Sequence, residues 1–144
     1  MNAAGFALDP RLAADTRPVA SLPLCDVLLM NDARYPWLIL VPRRAGLVEI
    51  ADLHDDEQAV LWQEVGHAAA ALRAVAPCDK LNLGALGNIV RQLHVHVVAR
   101  VEGDAAWPGP VWGHGQAAAY GDGQARQLIA ALQRQLAAPS ASDT

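Results

Sequence analysis

Hydrophobic and polar positions along this chain follow two different periods, and the changes of period mark its elements. "LCDVLLMNDARYPWLILVP" holds two apolar runs, Cys25 to Met30 and Trp37 to Val41, separated by Asn31, Asp32 and Pro36. Short apolar runs flanking turn-forming residues predict a β-hairpin. From Asp55 to about Val75 the period lengthens. Val60, Leu61, Glu64, Val65, Ala68, Ala69, Leu72 and Val75 recur at helical spacing behind an acidic first turn, which predicts an amphipathic helix. His67 lies on this helix and His54 just ahead of it, and both are assigned surface or capping roles.

Upstream, "DPRLAADT" places Asp9 to cap a short helix and Pro10 at its first position. After Pro77, "DKLNLGALGN" reads as a strand entering a glycine-bearing turn, and Ile89 to Val101 as a further strand. A Gly/Pro-rich loop with Trp107 and Trp112 follows. A last helix, about Gly123 to Leu136, sets Leu128, Ile129, Leu132 and Leu136 on one face. Successive strands joined by tight turns predict an antiparallel sheet with the long helix and the C-terminal helix packed on it, an α+β fold. Residues 1–136 form one domain in this reading, and 137–144 a flexible tail.

The strand "RQLHVHVVAR", residues 91–100, is the unusual one. Side chains of a strand alternate between faces, so Gln92, His94 and His96 would share one face and Leu93, Val95 and Val97 the other. One face suits packing and the other suits chemistry. At a rise of ~3.3 Å per residue the two histidines stand about 6.5 to 7 Å apart at the backbone, near enough to act on one small group.

Bulk properties narrow the function. At 144 residues with 53% hydrophobic content the chain can bury a core without staples, and a net charge of −4 gives no domain-wide footprint for nucleic acid. Cys25 and Cys78 form neither a C-x-x-C pair nor a disulfide framework, and read as reduced thiols. "MNAAGFALDP" lacks a signal-peptide pattern, and no segment approaches the ~20 apolar residues of a membrane span. A soluble cytoplasmic protein without a membrane partner is the expectation.

For the histidines three chemistries stay open: a metal pair, a nucleophile beside an acid, or two imidazoles satisfied by hydrogen bonds. A metal needs a third and usually a fourth ligand, for which only His114, in the loop, offers itself. Nucleophilic attack by a neutral imidazole needs no base, because the ring already carries a lone pair, and a second imidazole nearby stabilises charge or protonates a leaving group. The side chain of Gln92 is placed to fix a tautomer. Arg43, Arg44, Arg91 and Arg100 offer positive charge, and Trp107 and Trp112 offer faces for stacking or packing.

"QLHVHVV" resembles the H-φ-H-φ-H-φ-φ signature (φ apolar) of the histidine-triad, or HIT, superfamily, with Gln92 in the first histidine's place. The following "AR", the upstream "NLGALGN" and the hairpin "LLMNDARYPWLILVPRR" extend the resemblance over residues 24–101. It implies a HIT-like antiparallel α+β fold, a homodimer, and a nucleotide substrate whose phosphoanhydride or phosphoramidate bond is cleaved through a covalent nucleotidyl-histidine, with no metal and no cofactor. By the same resemblance His94 is the nucleophile and His96 contacts phosphate oxygen or assists the leaving group. Asn31 binds ribose, and Asn82 and Asn88 lie near the phosphates. Gln92 departs from the pattern, since an amide donates and accepts but cannot become cationic. A nucleotide-binding module with little catalysis is the alternative reading.

Overall fold

Alternation within the hairpin strands decides which way the sheet faces. In the computed structural model, which describes residues 4–139, β2 (Cys25–Met30) turns Cys25, Val27 and Leu29 to one face, and β3 (Trp37–Pro42) turns Leu38 and Leu40 to the same side. Leu28, Trp37, Ile39 and Val41 point the other way into a second cluster. All six residues of β3 are buried, because this central strand is covered on both faces.

The sheet has five antiparallel strands in the order β1-β2-β3-β5-β4, with β1 at Thr16–Ser21, β4 at Lys80–Gly84 and β5 at Val95–Arg100. Helix α1 (Pro10–Asp15) precedes β1, with Asp9 accepting the Arg11 N–H at 2.8 Å and Pro10 at the first position, as expected. Helix α2 spans Asp55–Val75 and α3 Asp122–Ala137, within a residue or so of the boundaries read from periodicity. The tail expected from residue 137 therefore begins inside the last turn of α3, and residues 140–144 lie outside the described residues.

Helix α2 buries Leu61, Val65, Ala68, Ala69 and Leu72 against the first face, and its alanines let the backbone come close to the strands. Each fully buried leucine contributes about 1.5–3 kcal/mol of transfer free energy. Glu64 sits on this apolar face for a specific reason. Its two carboxylate oxygens accept the N–H groups of Leu24 and Cys25 at 2.9 and 2.8 Å, satisfying backbone donors at the start of β2. Helix α3 packs on α2 and β1; His67 Nε2 lies 2.9 Å from the Leu136 carbonyl, and Gln133 donates to that of Val19 at 2.8 Å. His67 thus ties two helices together, whereas His54 occupies the N-cap position of α2 without a side-chain capping bond.

One strand, β1, has no counterpart in the sequence reading, and another begins later than expected. β1 contains Pro18, which breaks the sequence pattern; it is tolerated because β1 is an edge strand with an irregular register between Pro18 and Ala20. The strand expected over Ile89–Val101 starts only at Val95. Its partners run out there: pairing with β3 ends at Leu40↔Val95 and with β4 at Gly84↔His96, and the Leu93 N–H turns aside to the Leu47 carbonyl. Gln92 therefore lies outside the strand, while Leu93, Val95 and Val97 enter the α2-side core as the alternation requires.

Candidate active site

His94 ends the loop leading into β5 and His96 is the strand's second residue, on the face away from α2. Both are buried, and their ring centroids stand 4.8 Å apart. Each ring is held through Nδ1, with opposite consequences. His94 Nδ1 lies 2.7 Å from the backbone carbonyl of Gln92, which only accepts, so this nitrogen carries the proton and Nε2 is left with its lone pair. His96 Nδ1 receives the indole N–H of Trp37 at 3.0 Å, and an indole N–H only donates. His96 therefore carries its proton on Nε2. One imidazole presents a lone pair and its neighbour an N–H.

Burial, with a further contribution from the His94 imidazole, pushes the His96 pKa down to about 3. The ring is neutral throughout the physiological range. Trp112 closes over it, with ring centroids 5.4 Å apart, and meets Trp37 edge-on at 6.3 Å. Gly84, opposite His96 on β4, makes this possible, since a Cβ there would stand 3.1 Å from Trp112 Cη2.

Three of the hollows among the described residues bear on these side chains or on the helices behind them. One of about 360 Å³ is lined by Asp15, Asn31, Asp32, Trp37, Val111 and His114, so Trp37 both borders it and holds His96. A smaller one, about 120 Å³, borders His94 with Asn88, Arg91 and Glu49. A third, about 820 Å³, lies between α2 and α3 near Trp62 and His67, away from the imidazoles.

The sequence-derived site residues fall into distinct places. Asn31 borders the 360 Å³ hollow, with its Oδ1 accepting the Tyr120 N–H at 3.1 Å and Arg17 Nε at 3.5 Å. Asn88 is exposed beside His94. Asn82 borders none of the three hollows; it accepts from Arg100 at 2.9 Å. Gln92 meets His94 through its backbone carbonyl, while its side-chain amide faces the N-terminal segment.

Arg100, 1% exposed, forms a two-pronged ion pair with Asp104 at 2.8 Å and lies 5.5 Å from the Trp107 ring. Arg43 and Arg44 pair with Asp26 and Glu57, whereas Arg91 has no ion-pair partner among the described residues. No group of three His, Cys, Asp or Glu side chains among the described residues is placed to hold a metal ion, and His114 contributes its carbonyl to Arg34. Pattern reasoning missed Trp37, which looked like one more apolar residue of a strand. Its signal was the indole N–H, which needs a partner when buried.

An antiparallel five-stranded sheet with a histidine pair beside a central strand defines a class of α+β proteins, and the comparisons name it. The HIT domain family matches residues 11–103. A histidine triad protein of Sinorhizobium meliloti 1021 is 48% identical, with a TM-score of 0.90 over 93% of this chain and 99% of its own. One from Bradyrhizobium japonicum is 50% identical, with a TM-score of 0.89 over 91% and 98%. One from Marinobacter aquaeolei VT8 is 46% identical, with a TM-score of 0.88 over 91% and 96%. No curated protein matches the sequence. The chain belongs to the HIT family, and with it to a family of nucleotide-binding hydrolases and transferases.

Proposed function

We propose that this protein cleaves a phosphoanhydride or phosphoramidate bond of a nucleotide through a nucleotidyl group carried on His94. The observation that carries the reading is the pair of opposed tautomers, a bare Nε2 on His94 and an Nε2–H on His96, with rings 4.8 Å apart.

In the first step His94 Nε2 attacks the α-phosphorus as the bond to the leaving group breaks. The positive charge arising on the phosphorylated ring falls beside the Gln92 carbonyl, which already accepts its Nδ1–H. His96, neutral because it is buried, acts as a hydrogen-bond donor to a phosphate oxygen or the leaving atom. In the second step water attacks phosphorus, the N–P bond breaks, and the ring regains its lone pair. Where the leaving atom needs a proton it takes one from solvent in the first step, and in the second the water keeps one proton on the nucleoside monophosphate and returns the other to solvent, so the two steps balance.

The 360 Å³ hollow bounded by Asn31 and Trp37 is the candidate nucleoside site, and the smaller one beside His94, with Asn88 and Arg91, the candidate leaving-group side. Asn82 enters this reading through Arg100, as a support for the loop over the site. Two reduced cysteines accord with cytoplasmic residence. A homodimer across the free edge of β4 is supported by the exposed Leu83, Leu86 and Ile89 beside that edge; a monomer by light scattering at working concentration rules it out.

The test is to mix the protein with adenosine phosphoramidate or diadenosine polyphosphate, quench rapidly, and search by mass spectrometry for an adenylyl adduct. An adduct on His94 that disappears in His94→Ala upholds covalent transfer. Nucleotide binding without adduct or product leaves a binding module instead.

A further inference from the structure

The residue in the first motif place does not face the chemistry. Gln92 reaches across 85 and 83 positions of sequence: its Nε2 donates to the Ala7 carbonyl and its Oε1 accepts the Asp9 N–H, both at 2.9 Å. A carbonyl at one residue and an N–H two residues later are the pair that a neighbouring parallel strand would bond. The amide of Gln92 thus stands in for a strand alongside Leu8.

What it holds matters for the site. Phe6 and Leu8 pack against the cluster containing Leu12, Trp37, Val98 and Val111, and Asp9 caps the helix whose Ala14 and Asp15 border the 360 Å³ hollow. The tie therefore joins the residue two before His94 to the segment that leads into the wall on the Trp37 side.

Resting on the nucleotide reading above, we infer that Gln92 is a positioning residue that latches residues 6–9, the lead-in to the α1 end that walls the nucleoside site through Ala14 and Asp15, and that only its backbone serves His94. A carboxamide carries its N–H and C=O side by side and meets two backbone groups at once. The two nitrogens of an imidazole point away from each other and cannot. Glutamine at this place is then a replacement of function, and restoring histidine breaks the latch.

The test compares wild type with Gln92→Ala and Gln92→His in two readouts: hydrogen exchange at the Asp9 amide, and affinity for adenosine monophosphate. Loss of a hydrogen bond of about 1 kcal/mol predicts roughly fivefold to tenfold faster Asp9 exchange in both variants, with exchange in β3 unchanged as the control for global folding. The inference also expects adenosine monophosphate to bind about three- to tenfold more weakly in both variants, if the wall contributes a similar free energy. Unchanged Asp9 exchange overturns the latch whether or not nucleotide binds. Faster exchange with unaltered affinity overturns the wall. A Gln92→His protein that forms adduct faster than wild type at saturating nucleotide overturns the inference in favour of a catalytic role for this place. Failure of the wild type to bind adenosine monophosphate at all overturns the nucleotide reading and the wall that rests on it, while the exchange measurement still decides the latch.

Discussion

Trp37 donates its indole N–H to Nδ1 of His96 at 3.0 Å, joining the start of β3 to the second residue of β5. This bond sets which nitrogen of His96 carries its proton. Trp37→Phe keeps an aromatic ring but leaves His96 Nδ1 buried without its donor, at a cost of about 1–3 kcal/mol. The freed ring can take the other tautomer, which withdraws the Nε2–H from the site. We expect lower stability in urea and slower adduct formation at saturating nucleotide, with nucleotide affinity changed less. Unaltered single-turnover rates in Trp37→Phe contradict a tautomer-setting role.

The depressed pKa of His96 makes stability depend on pH in a definite direction. Its folded value of about 3 lies below the unfolded value of about 6.5, so between them the unfolded chain binds more protons. The contribution of the neutral ring is complete above about pH 6.5 and is lost as pH falls towards 3. At ~1.4 kcal/mol per pH unit the loss reaches about 2 kcal/mol by pH 5. Asp104, held low by the hydrogen bonds of Arg100, adds its own loss only at more acid pH. Urea unfolding at pH 7 and pH 5 therefore shows a drop for the wild type that shrinks in His96→Asn. An equal drop in both means that His96 titrates normally.

How far the sequence foretold this arrangement depends on the range of the interaction concerned. The helices α1, α2 and α3 and the hairpin were legible because their signals are local: Asp9 with Pro10, the 3.6-residue spacing from Val60 to Val75, the turn residues between Met30 and Trp37. The alternation of Leu93, Val95 and Val97 against His94 and His96 also held. The start of β5 and the work of Gln92 were not legible. Where a strand ends depends on where its neighbours end, and the amide of Gln92 is spent on Ala7 and Asp9, more than 80 residues away. Trp37 was hidden for the same reason, since its partner lies 59 positions further on.

The two thiols should differ in reactivity. Cys25 is fully buried at the start of β2, and burial together with the Glu64 carboxylate pushes its pKa far up, so almost no thiolate exists at neutral pH. Cys78 is half-buried and lies just before β4. A thiol reagent under native conditions should label Cys78 alone, and Cys25 only on unfolding. Glu64→Ala leaves the N–H groups of Leu24 and Cys25 without their acceptor, and costs about 2–4 kcal/mol for two buried donors. Labelling of Cys25 then accelerates as the β1–β2 end opens. Equal labelling of both cysteines in the native wild type refutes this account of the core.

The ion pair of Arg100 and Asp104 anchors the loop that packs Trp107 on Arg100 and, further on, sets Trp112 against His96. Asp104 also accepts the Trp107 N–H at 2.9 Å, so one carboxylate ties the loop to β5 and orders its first turn. Asp104→Asn leaves a buried guanidinium that cannot lose its charge, and breaking such a pair costs about 3–5 kcal/mol. Replacing Arg100 by Met as well removes the orphaned charge, so the double variant should recover part of that loss. Recovery of fold without recovery of the edge-on ring cluster should show as lasting disorder around Trp112, read by tryptophan fluorescence, because Met at residue 100 restores packing but cannot hold the loop. A double variant no more stable than Asp104→Asn means that the penalty lies in the loop's backbone bonds to residue 104, not in the unpaired charge.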